Sequence, residues 1–241
     1  RARLSTDYAI LEASRINDPE AFAMTVTNPA GEKTISDELR KRLSGFRQTC
    51  DEAGITLMNE MRFTVDEYLD FYEHTLLRAL EENIAVGKKV QLLEKPKKYA
   101  DENPQTLTDG AFGGSNFYAN WLGFEGNNLE AVIDLEDEWT ISQVSADFLQ
   151  VVNHVVFFPT EVTYSYSVDG KNFKLLGKAK NKRPLSKQSK INDIQSFPLK
   201  FSLVNMRYIK VVANNMGTAP DWHHGAGTPC WIFVDEISVN E

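Results

Sequence analysis

The 241 residues suffice for one or two domains with real cores, and 42% hydrophobic with 25% charged residues is ordinary globular composition, neither fibrous nor disordered as a whole. A formal charge of −8 argues against a binder of the nucleic-acid backbone, which needs a basic footprint. No apolar run approaches the roughly 20 residues of a membrane-spanning helix, so no membrane span is expected.

The chain starts at Arg1 on helix-like sequence, without an initiating methionine, signal peptide or lipidation motif, and is expected to be a fragment of something longer. Leu4, Tyr8 and Leu11 mark one face of a helix over Arg3 to about Ile16, which Asn17-Asp18-Pro19 stops. After a loop at Asn28 to Glu32, Thr34 or Ser36 can cap a second helix, whose stripe is Leu39, Leu43, Phe46 and Cys50 and whose terminator is Gly54. Thr64-Val-Asp-Glu67 matches a capping box, opening a third helix that carries Tyr68, Leu69, Tyr72, Leu76, Leu80 and Ile84 and ends before Gly87. Cys50 reads as a core residue; it and Cys230 fall in different units and in no metal-type spacing, so no disulfide is expected.

Lys88 to Pro96 reads as the lead-in strand of a second unit. Between Leu107 and Gly126 a glycine-rich, aromatic-rich stretch reads as a ligand- or ion-shaping loop, and its aromatics argue against disorder. Strand signals follow at Val132–Leu135, Ile141–Leu149, Val155–Phe158, Thr163–Val168, Phe173–Leu176, Ile191–Phe201, Arg207–Ala213 and Trp231–Val239. Asp169-Gly170 is expected to make a primed hairpin turn. Many short strands without interposed helices indicate an antiparallel sandwich. From Lys171 to Lys190 there are eight Lys or Arg and no acid: a solvated hairpin, or a contact for an acidic glycan or an acidic partner.

The order Leu107-Thr-Asp-Gly110, Asn120-Trp121, Val132-Ile-Asp-Leu135, Tyr164 through Phe173, Arg207-Tyr-Ile-Lys-Val211 and Val234-Asp-Glu-Ile-Ser-Val239 resembles the coagulation factor five/eight type C, or discoidin, domain. That family includes the family 32 carbohydrate-binding modules. Gly123-Phe-Glu-Gly126, Asp221-Trp-His-His-Gly-Ala-Gly227 and Trp231 to Glu236 look most like the version appended to secreted bacterial glycoside hydrolases. Phe46 to Ile55 and Thr64 to Leu69 resemble the last helices of domain of unknown function 4838. The expected fold is therefore α+β and multidomain: a small N-terminal helical bundle, residues 1–88, belonging to a larger upstream domain, then an all-β jelly-roll sandwich, residues 89–241.

The resemblance implies a structural calcium near one end of the sandwich. Asp109 and Glu236 correspond to the two family carboxylates, with carbonyls near Thr106 and Ala111 and a side chain from Ser115 or Asn116 completing an oxygen shell. No Thr follows Asp109-Gly110 at the family's usual spacing, and Gly113-Gly114 lengthen the loop. Sugar recognition pairs aromatic platforms with polar groups that bond hydroxyls, and the candidates are Asp221, Trp222, His223 and His224 in one loop with Asn120 and Glu125 in another, on one rim. Neighbouring histidines rarely chelate one ion, so a transition-metal site is not expected there.

No oriented nucleophile and base, and no glycosidase-type carboxylate pair, can be read from these residues. The expected function is a non-catalytic, calcium-supported carbohydrate-binding region. It would belong to a secreted, periplasmic or cell-surface bacterial protein and partner a glycan or oligosaccharide and an upstream catalytic domain of the same chain. A purely structural brace for that domain and a protein-binding adhesion module remain the alternatives.

Overall fold

The structure, a computed structural model, describes residues 2–17, 25–27, 33–58, 64–78, 82–97, 102–114, 117 and 120–241. It divides into two compact units, Arg1–Glu81 and Glu82–Glu241.

The first unit holds helices α1 (Ala2–Asn17), α2 (Asp37–Glu52) and α3 (Val65–Arg78), with a short antiparallel pair, β1 (Thr25–Thr27) and β2 (Lys33–Ile35). Its core is built from the expected stripes: Leu11 of α1, Leu39, Leu43, Phe46 and Cys50 of α2, and Tyr68, Tyr72 and Leu76 of α3, joined by Ile35. Both helix starts follow their sequence signals. The Ser36 hydroxyl accepts from the Leu39 amide at 3.1 Å, and in the capping box Glu67 N donates to Thr64 Oγ1 at 3.1 Å while Thr64 N donates to Glu67 Oε2 at 2.9 Å. Tyr72 donates to the Leu11 carbonyl at 2.7 Å and Tyr68 to Glu12 at 2.8 Å. Burial, with Glu12 adjacent, pushes the Tyr68 phenol well above its usual range.

The third helix is shorter than its apolar stripe suggests. Asn83 Oδ1 accepts from Ala85 N and Val239 N, and Ile84 N donates to Val239 O at 2.9 Å, so this stretch is drawn into the second unit as a turn. Leu80 and the expected helix beyond Arg78 as far as Glu81 lie outside the described residues. The β1–β2 pair was not legible, since strands of three residues are too short to show alternation.

The second unit is an antiparallel sandwich of β3 (Lys89–Leu92), β4 (Leu122–Glu125), β5 (Leu129–Val151), β6 (Glu161–Ser167), β7 (Lys174–Lys180), β8 (Asn192–Ser196), β9 (Leu199–Ala213) and β10 (Trp231–Asn240). The 23-residue β5 serves both layers. Leu129–Asp134 pairs with β3 and with Tyr208–Ala213 of β9, which continues to β6 and β7. Past a register shift at which Glu136 takes φ 71°, the strand pairs with the first half of β9, with β8 and with β10, which carries β4.

Core positions along β5 are Leu129, Ala131, Ile133, Leu135 and Ile141, then Val144, Ala146 and Phe148; the odd-to-even change coincides with the shift between Ile141 and Gln143. Strand β10 does the same in reverse. Ile232 and Val234 face the core, then Ile237 and Val239, with Asp235 and Glu236 in the bulge between.

Four details differ from the sequence reading. The Ile191–Phe201 segment is two strands, broken at Phe197-Pro198; β4 emerges from the end of the glycine-rich loop; and the strand expected over Val155–Phe158 is reduced to isolated bridges at Val156, after a 3-10 turn at Val152–His154 and Val155 at φ 61°. Gly170 has φ 70° but Asp169 does not have positive φ, so the turn is not of the primed two-residue kind. Instead the Asp169 carboxylate organises it, accepting from Lys171 N, Asn172 N, Asn172 Nδ2 and Ser167 Oγ at 2.7–2.9 Å. Those donors, the Asn172 and Lys171 amides foremost, hold the Asp169 carboxyl well below the usual range.

Candidate functional site

At one end of the sandwich the loops before β5, between β5 and β6, between β7 and β8, and between β9 and β10 meet. Gly126 N donates to Cys230 O at 2.8 Å, Asn215 N to Asn128 Oδ1 at 2.8 Å, Trp231 N to Val155 O at 2.9 Å, and Thr160 N to Asn214 O at 3.0 Å. Beneath them Phe157, Ala219 and Cys230 form a small apolar cluster with Val152, Val155, Leu185 and Met216. Burial raises the Cys230 thiol to about 11, which suits an inert packing residue.

The loop from Asn214 to Cys230 carries four of the sequence candidates. His223 is expected to touch sugar, but only 6% of it is exposed and both ring nitrogens are committed. Gly225 N donates to Nδ1 at 3.0 Å, so the proton sits on Nε2, which donates to the Val152 carbonyl at 2.7 Å. The ring stands edge-on to Phe157, centroids 5.5 Å apart. His223 is therefore a positioning residue. Its neighbours are less covered: Trp222 is half-buried, its ring 6.0 Å from that of His223, while His224, 4.2 Å away, and Asp221 are exposed. A Cβ at Gly225 would come within 3.2 Å of Val155 Cγ2, so a glycine lets the loop lie this close.

The second expected group lies on β4 and the loop before it, and the end of β4 is bonded to the first group's loop, Gly126 N to Cys230 O at 2.8 Å and Asn215 Nδ2 to Phe124 O at 3.4 Å. Glu125 is half-buried on β4, opposite Trp231 of β10. Asn120 is exposed with φ 58° at the end of the glycine-rich loop. Trp121 and Phe124 are fully buried: Trp121 Nε1 donates to Gly114 O at 2.9 Å, and Phe124 lies in the main core. The residues that sequence reasoning missed here are on the face of β10 turned away from the main core, where half-buried Trp231 stacks on buried Phe233 at 5.6 Å, buried Phe117 tilts on Phe233 at 5.5 Å, and the exposed His154 tilts on Phe117 at 5.4 Å. Alternate spacing of Trp231 and Phe233 in a strand was the available signal.

The glycine-rich loop and the β10 bulge form the second candidate centre. Gly110, at φ 77°, donates to Glu236 Oε2 at 3.2 Å, and Gly113 N donates to Asp235 Oδ2. Asn83 Nδ2 donates to the other Glu236 oxygen at 3.0 Å. Asp109 is exposed, with Oδ1 accepting from Ala111 N at 2.8 Å; Thr106 is buried in the 3-10 turn Pro104–Leu107; Ser115 and Asn116 lie outside the described residues.

Asp235 was not singled out from sequence, because strict alternation puts it on the face opposite Glu236, whereas the bulge lets both bond one loop. It is fully buried, its Oδ1 has no hydrogen-bond partner among the described residues, and burial, with Asp147, Glu236 and Asp109 nearby, pushes its carboxyl well up. An oxygen-only donor set with an orphaned carboxylate oxygen fits a hard cation and not a soft one. Among the described residues no group of three or more His, Cys, Asp or Glu side chains is disposed to hold a metal, so such an ion would draw further ligands from carbonyl oxygens.

No family model matches the chain, and no curated protein matches it. Similar solved structures include CpGH89CBM32-5 from Clostridium perfringens in complex with GalNAc-β-1,3-galactose, 15% identical over 64% of this chain and 95% of that one, TM-score 0.40. Chitosan-binding module 1 from a chitosanase/glucanase of Paenibacillus sp. IK-5 is 14% identical over 67% and 100%, TM-score 0.44. CBM32-1 from a family 31 glycoside hydrolase of Clostridium perfringens is 14% identical over 65% and 97%, TM-score 0.42. None of the comparisons supports the resemblance of the helices to domain of unknown function 4838. No helix among the described residues is long and apolar enough to cross a membrane.

Proposed function

We propose that residues 82–241 are a carbohydrate-binding module whose sugar contacts are Trp222, His224 and Asp221. The observation that carries this is the His223 clasp, which commits a buried imidazole to two backbone groups and leaves a half-buried indole and an exposed second imidazole beside it on a fixed loop. An indole face takes the C–H face of a pyranose, and His224 and Asp221 offer a donor and an acceptor for its hydroxyls. The motif order in the sequence supports the same reading.

The reading extends to calcium as a structural ion, held by Asp109 and Glu236 with carbonyl oxygens at Thr106 and Ala111 and with Asp235 at the same junction. Bound there, a divalent cation would supply positive charge to carboxylates that are otherwise brought together only by amide donors. The reading also places the module beside a glycan-degrading domain of a longer, secreted bacterial protein.

Calorimetric titration against galactosides, amino sugars and polysaccharides tests the sugar site. Binding that falls about tenfold or more in Trp222→Ala, with the melting temperature kept, is the expected result. Binding to none of them, or binding indifferent to both Trp222→Ala and His224→Ala, would leave the structural brace as the better account.

A further inference from the structure

The lysine-rich segment between Lys171 and Lys190 is only partly neutralised. Lys178 pairs with Glu161 at 2.7 Å, and Arg183 pairs with Asp193 at 2.7 Å while also donating to Gln195 at 3.1 Å. Lys182, Lys187 and Lys190, all in the loop between β7 and β8, are exposed and paired with no acid among the described residues. That loop is not remote from the Trp222 loop. Leu185 packs into the apolar cluster that also holds Ala219 and Met216. The Lys190 carbonyl accepts from Gln150 Nε2 at 2.7 Å.

One residue joins the two loops directly. Val152 donates its amide to the Ile191 carbonyl at 2.8 Å and accepts the His223 imidazole on its own carbonyl at 2.7 Å. The backbone therefore fixes an aromatic and imidazole loop and a cationic loop on either side of the same short turn. In the Trp222 loop Asp221 is the single acid from Asn214 to Cys230. The rim is thus locally basic on a chain whose formal charge is −8, a pattern that selects anions near the surface while the rest of the molecule repels them.

We propose, resting on the carbohydrate-binding reading above, that the glycan bound at this rim is anionic. Trp222 takes a sugar face, and Lys182, Lys187 and Lys190 take carboxylate or sulfate groups of the same or the next residue. Lysine suits this better than a preset fork would, because its compact charge on a flexible stem follows anions whose spacing varies along a polysaccharide. The lysines give selectivity among glycans; the indole gives binding to glycans at all.

The test uses the whole chain and matched probe pairs at low and at physiological salt: oligogalacturonate against its methyl ester, and a sulfated galactan against the same galactan desulfated. The expected result is tighter binding of the charged member of at least one pair, reduced about tenfold in the triple variant Lys182→Gln, Lys187→Gln, Lys190→Gln, and weakened by salt. The pair that responds says whether carboxylate or sulfate is recognised. Neutral and charged members binding equally, with the triple variant unchanged, would overturn the proposal and leave the sugar site standing. Loss of all glycan binding would instead fall on the sugar site itself. Poly-glutamate, which carries carboxylates and no sugar, is the remaining arm: binding as tight as the oligogalacturonate, and unaffected by Trp222→Ala, would overturn the proposal in favour of an acidic protein partner. Melting temperatures of the variants, expected to match the parent, show that exposed charges and not folding are being read.

Discussion

Gly110 and Glu236, 126 positions apart in sequence, are joined by a 3.2 Å hydrogen bond from the glycine amide to the carboxylate. The bond closes the last strand onto the glycine-rich loop, and it explains why Glu236 can be fully buried: Gly110 and Asn83 supply donors where water would otherwise be needed. Among the described residues the neighbouring Asp235 lacks that coverage on one oxygen.

If a calcium ion serves this junction, it stabilises the sandwich by mass action. At a concentration about 100 times Kd the gain is about 2.7 kcal/mol, or about 5–10 °C of melting temperature for a unit of this size. Scanning fluorimetry in chelator and in calcium reads it directly, and Glu236→Gln should remove the shift. A melting temperature indifferent to calcium up to millimolar levels would take the ion out of the account.

Acid should loosen the sandwich through Asp169 and Asp134. Amide donors hold Asp169 below its ordinary value of 3.8, and the two hydrogen bonds from Arg207, at 2.7 and 2.9 Å, do the same for Asp134. With folded values below the unfolded one, their stabilisation is present above about pH 4 and is lost as pH falls through the folded values. Urea midpoints followed from about pH 5 to pH 2 should show an acid limb that is shallower in Asp169→Asn. An unchanged limb would mean that other carboxylates govern it.

Removing the clasp should cost stability and sugar binding together. His223→Ala leaves the Val152 carbonyl and Gly225 amide without their partner and should destabilise the unit by about 2–3 kcal/mol. His224→Ala, at an exposed ring, should stay within about 0.5 kcal/mol. Equal melting temperatures for the two variants would contradict the positioning role.

A methyl group is not tolerated where the glycine-rich loop turns back on itself. A Cβ at Gly113 would stand 2.3 Å from the Trp121 ring and 2.9 Å from the Asn120 carbonyl oxygen, neither of which can yield cheaply because Trp121 is fully buried. Gly113→Ala should cost about 1–3 kcal/mol, seen as a lower urea midpoint. A midpoint equal to that of the parent protein would show that the loop has room to shift.

In the helical unit, Thr64→Ala removes the hydroxyl that caps α3 and should cost about 1 kcal/mol. Amide exchange should quicken first at Glu67, the N–H that Thr64 accepts from. Unchanged protection at Glu67 would mean that water serves that amide as well as the side chain does.

The features legible beforehand are those set by neighbours in sequence. Ser36, one of two cap candidates with Thr34, and the Thr64–Glu67 pair announced the starts of α2 and α3, the Leu39–Leu43–Phe46–Cys50 stripe announced the buried face of α2, and β-rich runs between turns announced most of the strands. A cap or a stripe is decided within one or two helical turns, so the chain carries it locally. The calcium candidates Asp109 and Glu236 came from motif order, and the structure brings their loop and strand together through Gly110.

Features that depend on pairing across the chain stayed hidden until the tertiary structure supplied the partner. Ile84 looked like one more helical position until Val239 took its amide, and Asp235 looked like a strand residue opposite Glu236 until a bulge turned both toward one loop. His223 and His224 are adjacent and identical in sequence, yet one is a buried clasp on Val152 and the other an exposed ring. Composition and periodicity settle most of the helices and strands, because those preferences are local free energies, though not the β1–β2 pair or the end of α3. Which of two neighbouring imidazoles meets solvent is settled only by what lies 71 positions away, since burial is a property of the partner surface and not of the residue.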